Sequence, residues 1–214
     1  MIIGIVMNTK IKYGLSVLTT VFLFAGVSAL AQNKVVLSAS EQAAYERIMT
    51  VSKSLKSLTC DFTETKNMAV LAAPVVKKGR LSFAAPDCMR WEYDLNNYGV
   101  CNSSGAYMIK NGKINNGASR AFAMIGKITT SFISGKPVDS KQFAMEHKME
   151  NGEFLVILKP VSDKLKAVLD YITMRFDPKS GLIKSYETHR GEDYTRLIFN
   201  NIKINIDIDR QLFN

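Results

Sequence analysis

The chain has 214 residues, 47% of them hydrophobic and 22% charged, and 28 Lys and Arg against 19 Asp and Glu give a formal net charge of +9. That is enough apolar material for one sizeable core. The positive charge is scattered, with no basic run interleaved with stacking aromatics, which excludes nucleic acid as an expected partner; a basic surface suits an anionic membrane face or an acidic docking patch instead.

The first segment reads as an export signal. Lys10 and Lys12 precede an uncharged stretch from Tyr13 to Leu30, whose apolar centre runs from Leu15 to Phe24, and Ala29-Leu30-Ala31 places small residues at −3 and −1. Cleavage after Ala31 would leave a mature, soluble, periplasmic protein of residues 32–214, with its formal charge lowered from +9 to +7. Met7 offers a second start. The uncharged run is just long enough to span a bilayer as a helix, so a retained anchor is the competing reading. No cysteine follows the cleavage point directly, so the mature protein is not expected to be lipid-anchored itself. Cys60, Cys88 and Cys101 would meet an oxidising compartment, which permits one disulfide and one spare thiol. The sequence does not choose a pair, and three small buried hydrophobes in strands fit equally.

Beyond the signal, Ser40 followed by Glu41 and Gln42 predicts a helix start, and Ala44, Ile48, Val51, Leu55 and Leu58 recur on one face of a helix ending near Ser57. From Cys60 the period becomes two. Strands are expected at 61–69, 78–84, 89–94, 98–102, 106–110, 143–150, 154–159, 169–176, 183–189 and 194–205. Asn111-Gly112 and Asn151-Gly152 suit tight hairpins that need positive φ, and Asp177 to Gly181 has a proline near its start and a glycine at its end. Loops this short make successive strands antiparallel neighbours. One segment interrupts the meander: residues 116–134 carry Phe122, Ile125, Ile128 and Phe132 at helical spacing, widened by Met124 and Ile133, and Gly135 with Pro137 ends the helix. The expected class is α+β, an antiparallel sheet with one face covered by two amphipathic helices, in a single domain.

Catalytic motifs are missing. No G-x-S-x-G, P-loop or G-x-G-x-x-G occurs, and His147 and His189 stand apart from each other and from the cysteines, so both read as exposed or satisfied strand residues, with no metal or cofactor expected. Asp207 and Asp209 read as a solvated terminal segment, and Asn102-Ser103-Ser104, although a glycosylation sequon, as a turn. Met68, Met89, Met108, Met124, Met145 and Met174 suit a pocket for flexible chains, but suit an ordinary core as well.

A more specific signal is the run Cys60-Asp61-Phe62-Thr63-Glu64-Thr65, followed by Lys78-Gly79-Arg80-Leu81-Ser82-Phe83, Pro86 and Met89-Arg90-Trp91-Glu92-Tyr93. It resembles the outer-membrane lipoprotein carrier (LolA) family, where a DFTQT-like strand leads to G-x-L-x-F, a proline and W-x-Y. Phe176 to Ile183 is similar to that family's turn before its late strands, and Ile198 to Asn205 followed by Phe213 to its ending. The resemblance implies an open, curved antiparallel sheet, an incomplete barrel lidded by helices. Its interior would take up the acyl chains of lipoproteins or other lipids, received from an inner-membrane transporter and passed to an outer-membrane acceptor. A monomer without enzymatic activity is implied. Phe62, Leu81, Phe83, Met89, Trp91 and Tyr93 would supply the acyl-chain cavity, and Phe122, Met124, Ile125, Ile128 and Phe132 the inner face of the lid. A lipid-sensing module of the same fold is the alternative function. One departure stands out: the family's arginine before the proline, which bonds to the lid, is replaced by Ala85, and Arg80 and Arg90 lie in a different register.

Overall fold

Helix α1, Ala39–Ser54, is set by its first four residues. The Ser38 side chain accepts from the Glu41 backbone N–H at 3.3 Å, and Glu41 Oε2 accepts in return from the Ser38 backbone N–H at 2.9 Å. This reciprocal pair satisfies two of the amides a helix start leaves open. The cap is therefore Ser38, not the expected Ser40. Counting three residues on from Ser38 reaches a carboxylate, whereas counting from Ser40 reaches Ala43, which has nothing to return. The helix also stops earlier than Ser57, because Leu55 is already extended. Leu58 is buried in the following strand, and Ser52 takes the buried helical position expected of Val51. The computed structural model that gives this architecture describes residues 38–134 and 139–214; the expected signal peptide, Gly135 and Pro137 lie outside them.

The strands are β1 (Ser57–Asn67), β2 (Val75–Ala84), β3 (Cys88–Asp94), β4 (Asn97–Asn102), β5 (Gly105–Lys110), β6 (Lys113–Ile114), β7 (Phe143–Glu150), β8 (Glu153–Pro160), β9 (Tyr171–Phe176), β10 (Ile183–Arg190) and β11 (Asp193–Ile204). Helix α2, Asn116–Ile133, lies between β6 and β7, a single turn α3, Asp163–Lys166, between β8 and β9, and a 3₁₀ turn, Arg210–Phe213, follows β11. All ten expected strands form. The hairpin turns have the predicted geometry, with φ of 52° and 73° at Asn111 and Gly112, and 52° and 77° at Asn151 and Gly152.

All eleven strands join one open sheet in the order β6-β5-β4-β3-β2-β1-β11-β10-β9-β8-β7. The chain walks outward from β1 to β6, crosses with α2 to the opposite edge, and walks back from β7 to β11, which pairs with β1. Alternation sorts the faces. Leu58, Cys60, Phe62 and Glu64 of β1 are buried on the inner face, while Thr59, Asp61 and Thr63 are only half-buried. The paired register carries this face across strands: Glu64 stands opposite Leu197, Leu197 opposite Tyr186, Tyr186 opposite Met174, Met174 opposite Val156 and Val156 opposite His147. Both helices lie on it. Phe122 of α2 meets Trp91 edge to face at 6.4 Å, and Tyr45 of α1 stacks on His147 at 5.8 Å. The outer face has a smaller cluster in which Phe213, from the 3₁₀ turn, packs with Ala84 and Val100. Its carbonyl accepts from the Asn102 side chain at 2.7 Å, so the sequon asparagine has a structural task at the turn.

Candidate functional site

Two hollows adjoin on the inner face. The first, about 240 Å³, lies between α2 and the sheet and is walled by Trp91, Tyr93, Met108, Phe122 and Leu197, with Glu64 and Lys66 beside them. The second, about 320 Å³, is bounded by Met68, Ile128, Leu169, Ile172 and Tyr194, with Arg190 and Asp193 among its polar members. Tyr186, Thr188 and Thr195 belong to both. The two are thus chambers of one trough floored by β10 and β11. Phe122 and Ile128, from successive turns of α2, reach one chamber each. A larger hollow of about 760 Å³ lies on the outer face, but Asp61, Arg80, Arg90, Glu92, Lys203 and Asp207 line it, and a hydrocarbon tail there would strip charged groups of water.

The chemistry of the first chamber centres on Glu64. It is 4% exposed, accepts from the Tyr93 hydroxyl at 2.9 Å, and has Lys66 Nζ 3.3 Å from its Oε1. Burial pushes the Tyr93 phenol well above its ordinary range, and the Glu64 charge and hydrogen bond add to this, so Tyr93 stays a neutral donor. The Trp91 indole N–H leans towards Tyr93, slightly favouring the phenolate, but makes no hydrogen bond of normal geometry. Burial likewise raises Tyr186, whose hydroxyl has no hydrogen-bond partner. Cys60 and Cys101 are buried thiols pushed up to about 12 and about 11, chiefly by loss of water, and Cys88 is a half-buried thiol.

The residues singled out in the sequence divide between wall and support. Trp91, Tyr93 and Phe122 wall the first chamber and Ile128 the second. Phe62, Leu81, Phe83 and Met89 are fully buried in the same core but line neither chamber. Phe62 supports the wall from beneath, its ring 5.1 Å from that of Trp91 and 5.5 Å from that of Tyr93, both edge-on. A side chain at Gly79 would collide with that ring. The side chains of Met124, Ile125 and Phe132 lie outside the described ones. Sequence reasoning missed Glu64, Lys66, Tyr186, Thr188 and Thr195. Glu64 carried a usable signal, because it stands two residues from Phe62 and shares its face.

Helix α2 is seated mainly on β5. The Met108 backbone N–H donates to Ser119 Oγ at 2.9 Å, the Asn115 N–H donates to the Met108 carbonyl at 2.8 Å, and Gly126 sits directly against Cys101 Sγ. Arg80 and Arg90 cannot replace the family's lid arginine, since they turn to the outer face and pair with Asp61 and Glu92. The Ala85 carbonyl accepts from Arg210 at 3.1 Å, again away from α2. The histidines differ from expectation in one case. His189 pairs with Glu187 at 3.2 Å and stacks on Tyr171 at 4.3 Å, but His147 is neither exposed nor satisfied: Tyr45 and Phe154 enclose its ring, and both nitrogens are buried without a partner. No group of three or more metal-ligating side chains occurs among the described residues, and none of the described helices is long and apolar enough to cross a membrane.

Residues 53–214 match the family described as outer membrane lipoprotein carrier protein LolA. Among solved structures, the chain is similar to a LolA superfamily protein from Nitrosomonas europaea (6% identity over 83% of this chain and 98% of that one, TM-score 0.43). It is also similar to the lipoprotein LppX of Mycobacterium tuberculosis (11% identity, 81% and 99% covered, TM-score 0.45). A third is a putative outer membrane lipoprotein-sorting protein domain from Vibrio parahaemolyticus (9% identity, 81% and 95% covered, TM-score 0.36). Comparison with curated proteins gives no match.

Proposed function

Because the chain belongs to the outer membrane lipoprotein carrier protein LolA family, we propose that it takes the acyl chains of lipoproteins into the trough beneath α2 and carries them through the periplasm, from an inner-membrane transporter to an outer-membrane acceptor. The observation that carries this reading is the pair of adjoining, largely apolar chambers roofed by Phe122 and Ile128. An acyl chain of about fifteen methylenes costs on the order of 12 kcal/mol to expose to water, at ~0.8 kcal/mol each, so crossing an aqueous compartment demands a sheath. At about 240 and 320 Å³, the chambers sit at or below the low end of ligand pockets, which span roughly 300 to 1,000 Å³. On this reading α2 is a lid that lifts to admit cargo and widen the chambers. Trp91 and Tyr93 then meet the chains directly, and Phe62, Leu81, Phe83 and Met89 hold those walls in place. The protein works as a monomer after removal of residues 1–31, and its role is binding, not catalysis.

Native mass spectrometry of the protein mixed with a triacylated lipoprotein in mild detergent tests this. The expected result is a one-to-one complex that survives detergent removal. A protein that retains no acylated ligand overturns the reading. Depletion of the protein in its own cell should strand outer-membrane lipoproteins at the inner membrane.

A further inference from the structure

The first chamber is not uniformly greasy. Two donors belong to residues of its wall: the buried Tyr186 hydroxyl makes no hydrogen bond, and the buried Trp91 indole N–H only leans towards Tyr93 without a bond of normal geometry. Tyr186 is 3% exposed and Trp91 7%, so water does not serve them freely. Buried donors without partners are uncommon because each has given up its bonds to water. The nearby acceptor, Glu64, is already engaged by Tyr93 and Lys66. A plain hydrocarbon tail would cover both donors and satisfy neither. A carbonyl oxygen can accept where a hydrocarbon cannot.

The charge arrangement narrows the choice further. In the Glu64–Lys66 pair the carboxylate is the buried member, its side chain 5% exposed, while the lysine side chain is 43% exposed and faces water. The interior of the chamber therefore sees the negative end. A second carboxylate entering there would meet a like charge in a poorly screened place. A neutral ester or amide would not.

We propose that the first chamber is a station for the neutral carbonyl oxygen of an acyl ester or amide, held by the Tyr186 hydroxyl and the Trp91 indole N–H, while Glu64 turns away the carboxylate of a free fatty acid. This rests on the carrier reading above and names the chemical class of its cargo: acyl chains still attached through a carbonyl linkage. The burial that keeps Tyr186 protonated keeps it a donor.

The test compares four probes of equal chain length on the purified protein by calorimetry or fluorescent displacement: a diacylglycerol, its dialkyl ether analogue without carbonyls, the free fatty acid, and a diacylglyceryl-cysteine lipopeptide. The diacylglycerol and the lipopeptide should each bind about tenfold tighter than the ether and the fatty acid. Tyr186→Phe, which keeps the ring and removes the hydroxyl, should erase the ester-over-ether preference without weakening the ether. Glu64→Gln should raise fatty-acid affinity relative to diacylglycerol affinity about tenfold, with thermal unfolding confirming that both variants fold. Equal binding of ester and ether by the unmodified protein, or equal weakening of both by Tyr186→Phe, overturns the carbonyl station while leaving the carrier standing. Binding of none of the four overturns both. A lipopeptide that binds when the diacylglycerol does not would locate recognition in the peptide, and that too overturns the station.

Discussion

The two helices cover the same face of one sheet but are fastened differently. Helix α1 is closed at its start by the Ser38–Glu41 box, and Glu41 Oε1 also accepts from the Met149 backbone N–H of β7 at 3.1 Å. Its Tyr45 stacks on His147, and Phe154 joins the two in a tilted cluster of rings. Helix α2 has no acid in its first turn and no base in its last, so no charged side chain complements its dipole there. It meets the sheet closely at Gly126 and spans hollow space through Phe122 and Ile128. The difference is what the proposed carrier needs: one half of the inner face is filled, as a scaffold requires, and the other is left partly empty, as a lid that opens would require.

The strongest way to break this contrast is to excavate each half in turn. Phe154, fully buried in the α1 half, should cost about 3–5 kcal/mol when cut to alanine, read as a fall in the denaturation midpoint. Phe122→Ala, beside an existing chamber, should cost less globally and instead accelerate amide exchange in α2; equal global losses would sink the distinction. Next comes Gly126→Val. A Cβ there collides with Cys101 Sγ, so the substitution should cost about 1–3 kcal/mol and speed exchange of bound acyl probes by lifting the lid. Slower exchange would mean that the tight approach at Gly126 is not what seats α2.

Smaller again, Ser38→Ala should remove about 1 kcal/mol from the scaffold half, measured by urea unfolding. Its pH signature has a definite sign. Hydrogen bonds from the Ser38 side chain and backbone, helped by the Met149 amide, hold the Glu41 carboxyl below its usual 4.5. A depressed carboxylate supports the fold above its unfolded value, and that support fades as pH falls through the folded one. The acid limb of stability below about pH 4.5 should therefore be shallower in Ser38→Ala than in the parent. The mildest probe is thiol labelling. With Cys60 and Cys101 held protonated by burial, a maleimide at pH 8 should modify Cys88 first. Adding an acyl ligand should then expose Cys101, beneath Gly126, while Cys60 stays protected. Unchanged Cys101 reactivity on loading would argue against a moving α2.

Much of this architecture could be read in advance because it is local. Alternation fixed which of Leu81, Phe83, Met89 and Trp91 share a face, and the Asn-Gly pairs fixed two hairpins. Short elements escaped notice: β6 has only Lys113 and Ile114, too few to show a period, and α3 is a single turn. The trough was legible only in part. Trp91, Tyr93 and Phe122 announce themselves as large and apolar, but Glu64 and Tyr186 become neighbours only through Leu197 on the intervening strand, a register no local pattern reveals. His147 was misjudged for the same reason: its environment is set by Tyr45, on a helix a hundred residues away in sequence. The empty volume is encoded by no single residue, since it is what remains after all the others have packed.

The position of β1 between β2 and β11 has a consequence for how the molecule is made. Each half of the sheet is a hairpin series that can assemble from near neighbours, but the seam pairs Asp61 with Asn200 and Phe62 with Phe199. Until β11 has been synthesised, β1 offers a bare row of amides and carbonyls to any strand that drifts past. The seam should thus be the slow, long-range step of folding. A nascent chain halted before β11 would be prone to stick to its own kind, with the unpaired edge of β1 presented to the aggregate.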